Sequence, residues 1–367
     1  MEYDMPKAIA FIPHKSRTER HQVDYLRAIS EAMHDPYQTE DGREMRGVQL
    51  ELSNKCSSFN GVPHWQFTDC CTDALQISIA ALTNQNDVVI VPSYGWRAFA
   101  NAVAFMNRRV RFCDIDESGN IDLNQLADMI PRVKPKAVVI VHNFGTVTRV
   151  DQIIDLCNKW GVHVIEDAAP AFYMGEPYSY VPGSMSSTAC FSFDFTKYPG
   201  TLGSGGAVCT NSDEIAERVY EISAHGRGRD KSIHCVGTKS YMDMTSCAVL
   251  LKEIELFEQN KYRERRRQIA TWYINNLPYK NIPGENYVWE RYTMSVPSFE
   301  VEEVIQKLNS VKCLARTFFK EPLHLLPWLN TEGDDCPKTV EFCASTVHLP
   351  CHHYLTDEEL ERIKSAL

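Results

Sequence analysis

The chain lacks several things, and each absence closes off a class of function. No apolar run in its 367 residues approaches the ~20 needed to span a membrane. The opening "MEYDMPKAIAFIPHKSR" lacks the long apolar core of a secretory signal, so a cytoplasmic location with no membrane partner is expected. Positive charge is in short supply: 38 Lys and Arg face 48 Asp and Glu, a net charge of -10. That balance argues against a surface built to grip nucleic-acid backbone, while leaving room for a local basic pocket that holds a phosphorylated small molecule. The 13 cysteines are scattered and odd in number, and no CxxC pair occurs. Reduced thiols are therefore expected rather than a disulfide framework. The tail that carries Cys336, Cys343, His348, Cys351, His352 and His353 fits no common zinc spacing, so no metal is expected there. Internal repeats and low-complexity tracts are missing as well.

What is present is an alternation of short apolar runs and amphipathic stretches from about residue 65 to 210, the mark of parallel βαβ units. "ALQISIAAL" (74–82) carries Leu75, Ile79 and Leu82 at helical spacing. "VVIVP", "RVRFCDID", "AVVIV" and "VHVIED" read as strands, with a helical "RAFANAVAFM" between the first two. Val150, Ile153, Ile154 and Cys157 line one helical face that Gly161 is placed to end. Continuous apolar strands are covered on both faces by helices, which makes the sheet mostly parallel. Ligands of such sheets bind beyond the carboxyl ends of the strands. The rule points to 93–96, 143–146 and Asp167. From about residue 246 a long helical segment leads away, and the remainder, ending in a helix that Thr356 could cap, reads as a smaller α/β domain.

The most informative stretch is "ACFSFDFTKYPGTLGSGGAV" (189–208), in which Lys197 follows an apolar alternating run and precedes four glycines. Gly200, Gly203, Gly205 and Gly206 allow the backbone to approach the amine closely. They lead into a strand, so they do not form a dinucleotide fingerprint. An amine held there is expected to have a lowered pKa, and an uncharged lysine forms a Schiff base with a carbonyl. Pyridoxal phosphate needs such an amine together with an acid for its ring nitrogen, a flat neighbour and donors for its phosphate. Asp167, Trp96, Thr72 at a helix start and the Ser192 hydroxyl supply one of each kind, with two for the phosphate. Taken singly, each also has an ordinary reading as cap, core or surface residue.

These blocks resemble the DegT/DnrJ/EryC1/StrS family of sugar aminotransferases, fold-type I pyridoxal-phosphate enzymes. "VIEDAAPA" is similar to the family's "VIEDAAQA", "CCTDAL" to "SGTDAL", "PSYGWRAFANAV" to "PSxTFxATANAV", and "SAHGR" to "RNHGR". "FFKEPLHLLPWL" and "STVHLPCHHYLTDEEL" resemble "HYPPLHLQPAY" and "LPLHPGLTEEE". The resemblance implies a large cofactor-binding domain over 1–245, with segment 1–35 able to pack on a small domain over 246–367. It implies Lys197 as the imine-forming lysine and proton shuttle, Asp167 on the pyridine nitrogen, Trp96 stacked on the ring, and Ser192 and Thr72 on the phosphate. It also implies pyridoxamine phosphate between two half-reactions, glutamate as amino donor, a ketone on a nucleotide-linked sugar as acceptor, and a homodimer with its sites at the interface.

Several positions depart from the family. Pro170 stands where a Gln or His touches the cofactor ring, and Cys71 replaces a glycine beside the phosphate. Lys239 takes the place of an asparagine that reaches the partner's phosphate, where it could serve as a point charge, and Tyr241 takes that of an arginine. Arg227 and Arg229 in a Gly-containing loop, and His324 in "PLHLLP", are candidates to meet the sugar nucleotide. Two alternatives stay open: the same cofactor acting on another carbonyl or in a dehydration, against which Lys197 speaks because family dehydratases carry histidine there, and a non-catalytic relative.

Overall fold

Five-residue runs, most of them followed by a helix, build the frame of the protein, whose computed structural model describes residues 8–34, 47–146, 149–172, 180–282, 288–329 and 332–367. Among the described residues, seven strands form one sheet: β1 His64–Thr68, β2 Val88–Pro92, β3 Arg109–Cys113, β4 Ala137–Val141, β5 His163–Asp167, β6 Thr188–Ser192 and β7 Gly206–Thr210. Their spatial order is β1-β7-β6-β5-β4-β2-β3. Only β7 runs against its neighbours. The expected mostly parallel α/β sheet is therefore present.

The alternation of side chains along a strand explains why these runs are apolar throughout. Ile90, Val138 and Val164 pack into the core on one face, and Val89, Val139 and Ile165 into the core on the other. Each such buried side chain contributes about 1.5–3 kcal/mol. The helices Cys71–Leu82 and Ala98–Phe105 share the second core. The helix Val150–Lys159 packs Val150, Ile153, Ile154 and Cys157 into the first, and Gly161 takes a φ of +63° just beyond its end.

The long helical segment read from residue 246 is two helices, Met244–Gln259 and Tyr262–Asn276, broken where Lys261 takes a φ of +52°. The break has a packing cause. Ile254 and Phe257 of the first helix belong to the core of the large sheet, whereas Ile269, Ala270 and Tyr273 of the second belong to a separate core. Between them Tyr262 stacks on His353 with 3.7 Å between ring centroids. That separate core lies on a two-stranded antiparallel sheet, β8 Arg291–Ser295 with β9 Thr346–Pro350. Thr356 caps the last helix, Asp357–Lys364, in a full capping box.

Of the segment 1–35, residues 1–7 and 35 lie outside the described residues. Within it Ile9 bridges to Cys313, and the helix His14–Met33 packs on the helix Met244–Gln259. In the tail, His348 Nε2 donates to the Phe318 carbonyl at 2.9 Å while its Nδ1 pairs with the Thr293 hydroxyl at 3.0 Å, and His352 Nε2 donates to the Ala10 carbonyl at 3.0 Å. Among the described residues no three His, Cys, Asp or Glu side chains are placed to hold a metal ion, and no helix is long and apolar enough to cross a membrane.

Candidate active site

The strands β2, β4, β5 and β6 end at one rim of the sheet, and the chain beyond them opens a cavity of ≈ 610 Å³. Lys197, Asp167, Trp96, Thr72, Cys71 and Ser192, six candidates separated by up to 126 positions in sequence, all line it. Pro170 lines it too.

Lys197 is reached by a turn rather than by strand. β6 stops at Ser192, although the N–H groups of Phe193 and Phe195 still donate across to the carbonyls of Gly205 at 2.8 Å and Gly203 at 2.7 Å. Asp194 Oδ1 accepts from the Thr196 N–H at 3.0 Å and from its hydroxyl, and the Lys197 N–H donates to the Asp194 carbonyl at 2.8 Å. Such a turn competes with the ladder. A Cβ at Gly200 would lie 2.5 Å from the Lys197 carbonyl oxygen, and one at Gly206 2.3 Å from the Cys70 carbonyl carbon. Close approach is thus what two of the four glycines provide.

The turn is also held from a distance. Arg17, buried on the helix His14–Met33, donates to the carbonyls of Lys197 at 3.2 Å and Thr201 at 3.0 Å. Nothing in the spacing of the sequence marks this residue.

Glu290 was missed as well, and it is the ion-pair partner of the Lys197 amine. Lys197 Nζ donates to Glu290 Oε1 at 2.5 Å, and Arg291 donates to Oε2 at 3.0 Å. Burial would raise the pKa of Glu290, but Arg291 and then Lys197 outweigh it and hold the carboxyl at about 2. The signal was a charged pair, "ER", at the entry of a strand whose middle residues, Tyr292 to Met294, are buried.

Asp167 ends β5 and is 4% exposed. Its carboxylate accepts from the Ala169 N–H at 3.1 Å. Burial pushes its pKa up to about 6, against the pull of that N–H, of Lys197 and of His142. Behind it Glu166 is fully buried and accepts from Tyr180 at 2.7 Å and Gly183 at 2.8 Å, while His142 Nε2 lies 2.6 Å away. This network pins the strand end from which Asp167 projects.

Thr72 and Cys71 lie in the first turn of the helix Cys71–Leu82, whose N-cap Cys70 accepts from the Asp73 N–H. A helix start with few side-chain acceptors is a ready anion site. Trp96 is 53% exposed and borders the cavity, with Phe319 centred 6.0 Å away. On the side of the small sheet the cavity is walled by Phe11, Phe318, Phe319, Arg291 and Arg316.

The remaining candidates do not line this cavity. Lys239 is exposed, with its ammonium 5.1 Å from the Tyr241 ring. Arg229 is exposed and pairs with Glu217 at 2.9 Å, and Arg227 is half-buried in the same loop. His324 is buried on the turn Leu323–Leu325, where burial lowers its pKa against the pull of Asp114, Asp335 and Asp334.

The donor set fits pyridoxal phosphate. A primary amine, a carboxyl whose pKa is raised by burial, an exposed indole face and a helix N-terminus open on one space. A protonated pyridine nitrogen would offset the burial of the Asp167 carboxylate, and the helix start with the Ser192 hydroxyl would take the phosphate.

Comparison with known proteins agrees. The DegT/DnrJ/EryC1/StrS aminotransferase family model matches residues 24–367. The UDP-2-acetamido-2-deoxy-3-oxo-D-glucuronate aminotransferase of Pseudomonas aeruginosa is 30% identical over 339 residues, 89% of this chain and 92% of that protein. GDP-perosamine synthase of Caulobacter vibrioides is 27% identical, over 99% of this chain and 98% of that one. Among solved structures, a DegT DnrJ EryC1 StrS aminotransferase from Brucella abortus superposes with a TM-score of 0.87 at 25% identity, covering 98% of both chains. NtdA from Bacillus subtilis with bound cofactor PMP has the same fold, with a TM-score of 0.89 at 22% identity over 100% of this chain and 86% of that one.

Proposed function

The chain belongs to the DegT/DnrJ/EryC1/StrS aminotransferase family of pyridoxal-phosphate enzymes, and from that premise we propose that it moves an amino group from glutamate to a ketone on a nucleotide-linked sugar. The acceptor class rests on the relatives whose names specify nucleotide sugars, joined to a cavity that offers both a phosphate-binding helix start and further cations.

When bound, the cofactor supplies an aldehyde that takes up the amino group and a ring that withdraws electrons from the neighbouring C–H bond. Lys197 Nζ would hold the cofactor through its aldehyde carbon and would be the group that moves a proton at the substrate carbon. Glu290, which accepts from this amine, balances its charge when it is protonated. Asp167 keeps a proton on the pyridine nitrogen, and the low-dielectric burial that raises its own pKa strengthens that pairing. Thr72 and Ser192 hold the phosphate at the helix start, and Trp96 covers the ring and keeps water from its face.

Lys239 supports a homodimer with shared sites. It sits outside its own cavity on an exposed segment with Ile233 at 69% and Val236 at 94% exposure, a surface suited to cover by a second copy. Lys239 would then reach the phosphate in the partner's cavity, and Arg227 and Arg229 of the same loop would approach the nucleotide. A cytoplasmic location completes the reading, since nucleotide sugars are cytoplasmic metabolites in that role.

The observation that carries the proposal is the meeting of Lys197, Asp167 and the helix start on one cavity. Borohydride treatment of the protein loaded with pyridoxal phosphate should label Lys197, and Lys197→Ala should lose both the label and turnover of nucleotide keto-sugars with glutamate. A label on another lysine would overturn the assignment.

A further inference from the structure

An aminotransferase alternates between two resting states that differ in the bonding of one nitrogen. In the first, the lysine nitrogen is bound to the aldehyde carbon of the cofactor. In the second, the amino group has passed to the cofactor as pyridoxamine phosphate and the lysine is a free amine. The two states make different demands on the protein. A free, protonated lysine has three N–H donors to place, whereas a nitrogen double-bonded to carbon keeps one at most and has the phenolate oxygen of the same cofactor beside it. A carboxylate that meets the free amine therefore favours the second state, provided that it is ionised and in place before the amine arrives.

Glu290 meets both conditions without help from Lys197. Arg291 Nε and Nη2 donate to its Oε2 at 3.1 Å and 3.0 Å, which fixes one oxygen and leaves Oε1 for the Lys197 amine at 2.5 Å. Arg291 is itself held, with its guanidinium 4.3 Å from the centre of the Phe318 ring and 5.4 Å from those of Phe11 and Phe144. Burial opposes the charge on Glu290, and Arg291 is the first of the cations that keep it ionised.

The other carboxylates that line the cavity are not interchangeable with this one. Asp194 Oδ1 takes the Thr196 N–H and hydroxyl. Asp167, which accepts from the Ala169 N–H, is the acid suited to the pyridine nitrogen. Among the described residues Glu290 is the carboxylate within ion-pair distance of Lys197. It immediately precedes β8 of the small sheet, while Lys197 lies beyond β6 of the large one, so the pair joins the walls that the two sheets contribute.

We propose that Glu290 is the docking group for the free Lys197 amine and thereby biases the enzyme towards its pyridoxamine state. The inference rests on the aminotransferase reading and adds the residue that sets the balance between the two half-reactions. Glu290 acts on the cofactor through Lys197, and is in that sense a positioning residue.

Dissociation constants for pyridoxal phosphate and for pyridoxamine phosphate are measured by fluorescence titration on the full chain, as wild type, Glu290→Gln and Glu290→Asp. The amine is free both without cofactor and with pyridoxamine phosphate bound, so both keep the pair, whereas binding of pyridoxal phosphate breaks it. Glu290→Gln should accordingly leave the Kd of pyridoxamine phosphate within about twofold and lower that of pyridoxal phosphate about tenfold. Glu290→Asp, which keeps the charge, should return the ratio of the two constants part of the way to wild type. A ratio taken within one protein cancels any loss of folded fraction, which a merely structural residue would impose on both titrations alike. If the ratio in Glu290→Gln equals that of wild type or moves the other way, the inference is overturned and the aminotransferase reading stands. Wild type that binds neither form overturns that reading, and the inference falls with it.

Discussion

The guanidinium of Arg17 donates to the backbone carbonyl of Lys197 across 180 positions of sequence, tying the first described helix to the turn that carries this lysine. A second donation, to Thr201 at 3.0 Å, fixes the far end of the same turn. Arg17 and Glu253, 1% and 5% exposed in their side chains, lie 3.8 Å apart, and Tyr25 donates to Glu253 as well. Removing one member of a buried pair leaves the other charge uncompensated, which costs about 3–5 kcal/mol. Arg17→Met should therefore lower the urea midpoint strongly. Adding Glu253→Gln should recover part of that stability but not the anchoring of the turn. The double variant is expected to fold and yet lose pyridoxal phosphate on dialysis that wild type survives. Retention equal to wild type would show that the clamp does not position Lys197.

Asp167 should make stability and function pull in opposite directions. Its carboxyl has a folded pKa of about 6 against an ordinary 3.8, so the folded protein binds the proton more tightly than the unfolded chain. The stability from this group is present below pH 4 and is lost as pH rises through about 6, because the charged form is the one that burial penalises. The shift corresponds to about 3 kcal/mol at neutral pH. Cofactor-free Asp167→Asn is accordingly expected to resist urea better than wild type at pH 8, with the gap closing towards pH 4. Loaded with cofactor, the same variant should lose nearly all turnover, since an amide cannot hold the pyridine proton as a carboxylate does. Equal pH dependence of unfolding in the two proteins would count against the burial of this charge.

How far each of these features could be read beforehand follows from the range over which it is determined. Asp167, Trp96 and Thr72 were legible because each follows a strand or opens a helix within a few residues, and the sheet rule places all such positions at one rim. Lys197 was legible through the glycines around it, two of which have no space for a Cβ. The end of β6 is not legible in the sequence, because Phe193 and Phe195 continue the alternation beyond Ser192 and still donate to the carbonyls of Gly205 and Gly203. The break at Lys261 carries no Gly or Pro, and only the two separate cores reveal it. Arg17 and Glu290 meet Lys197 across 180 and 93 positions. Such meetings are decided by how the domains pack, which no local pattern encodes.

The closest backbone approach in the site gives a further prediction, one whose control lies three residues away. Gly206 opens β7 where it passes the start of the helix Cys71–Leu82, and an added Cβ would lie 2.3 Å from the Cys70 carbonyl carbon and 2.5 Å from Cys71 N. These are backbone atoms that cannot swing aside, so the helix start itself must move. Overpacking of this kind costs about 1–3 kcal/mol. The displacement falls on the amides proposed to hold the phosphate, so Gly206→Ala should weaken pyridoxal-phosphate binding beyond what its loss of stability accounts for. Gly203 has nothing within 4 Å of a built Cβ, and Gly203→Ala should match wild type in both measurements. Fluorescence titration of the cofactor alongside urea unfolding distinguishes the outcomes. Should Gly206→Ala lose stability while binding the cofactor as wild type does, the phosphate does not sit at this helix start.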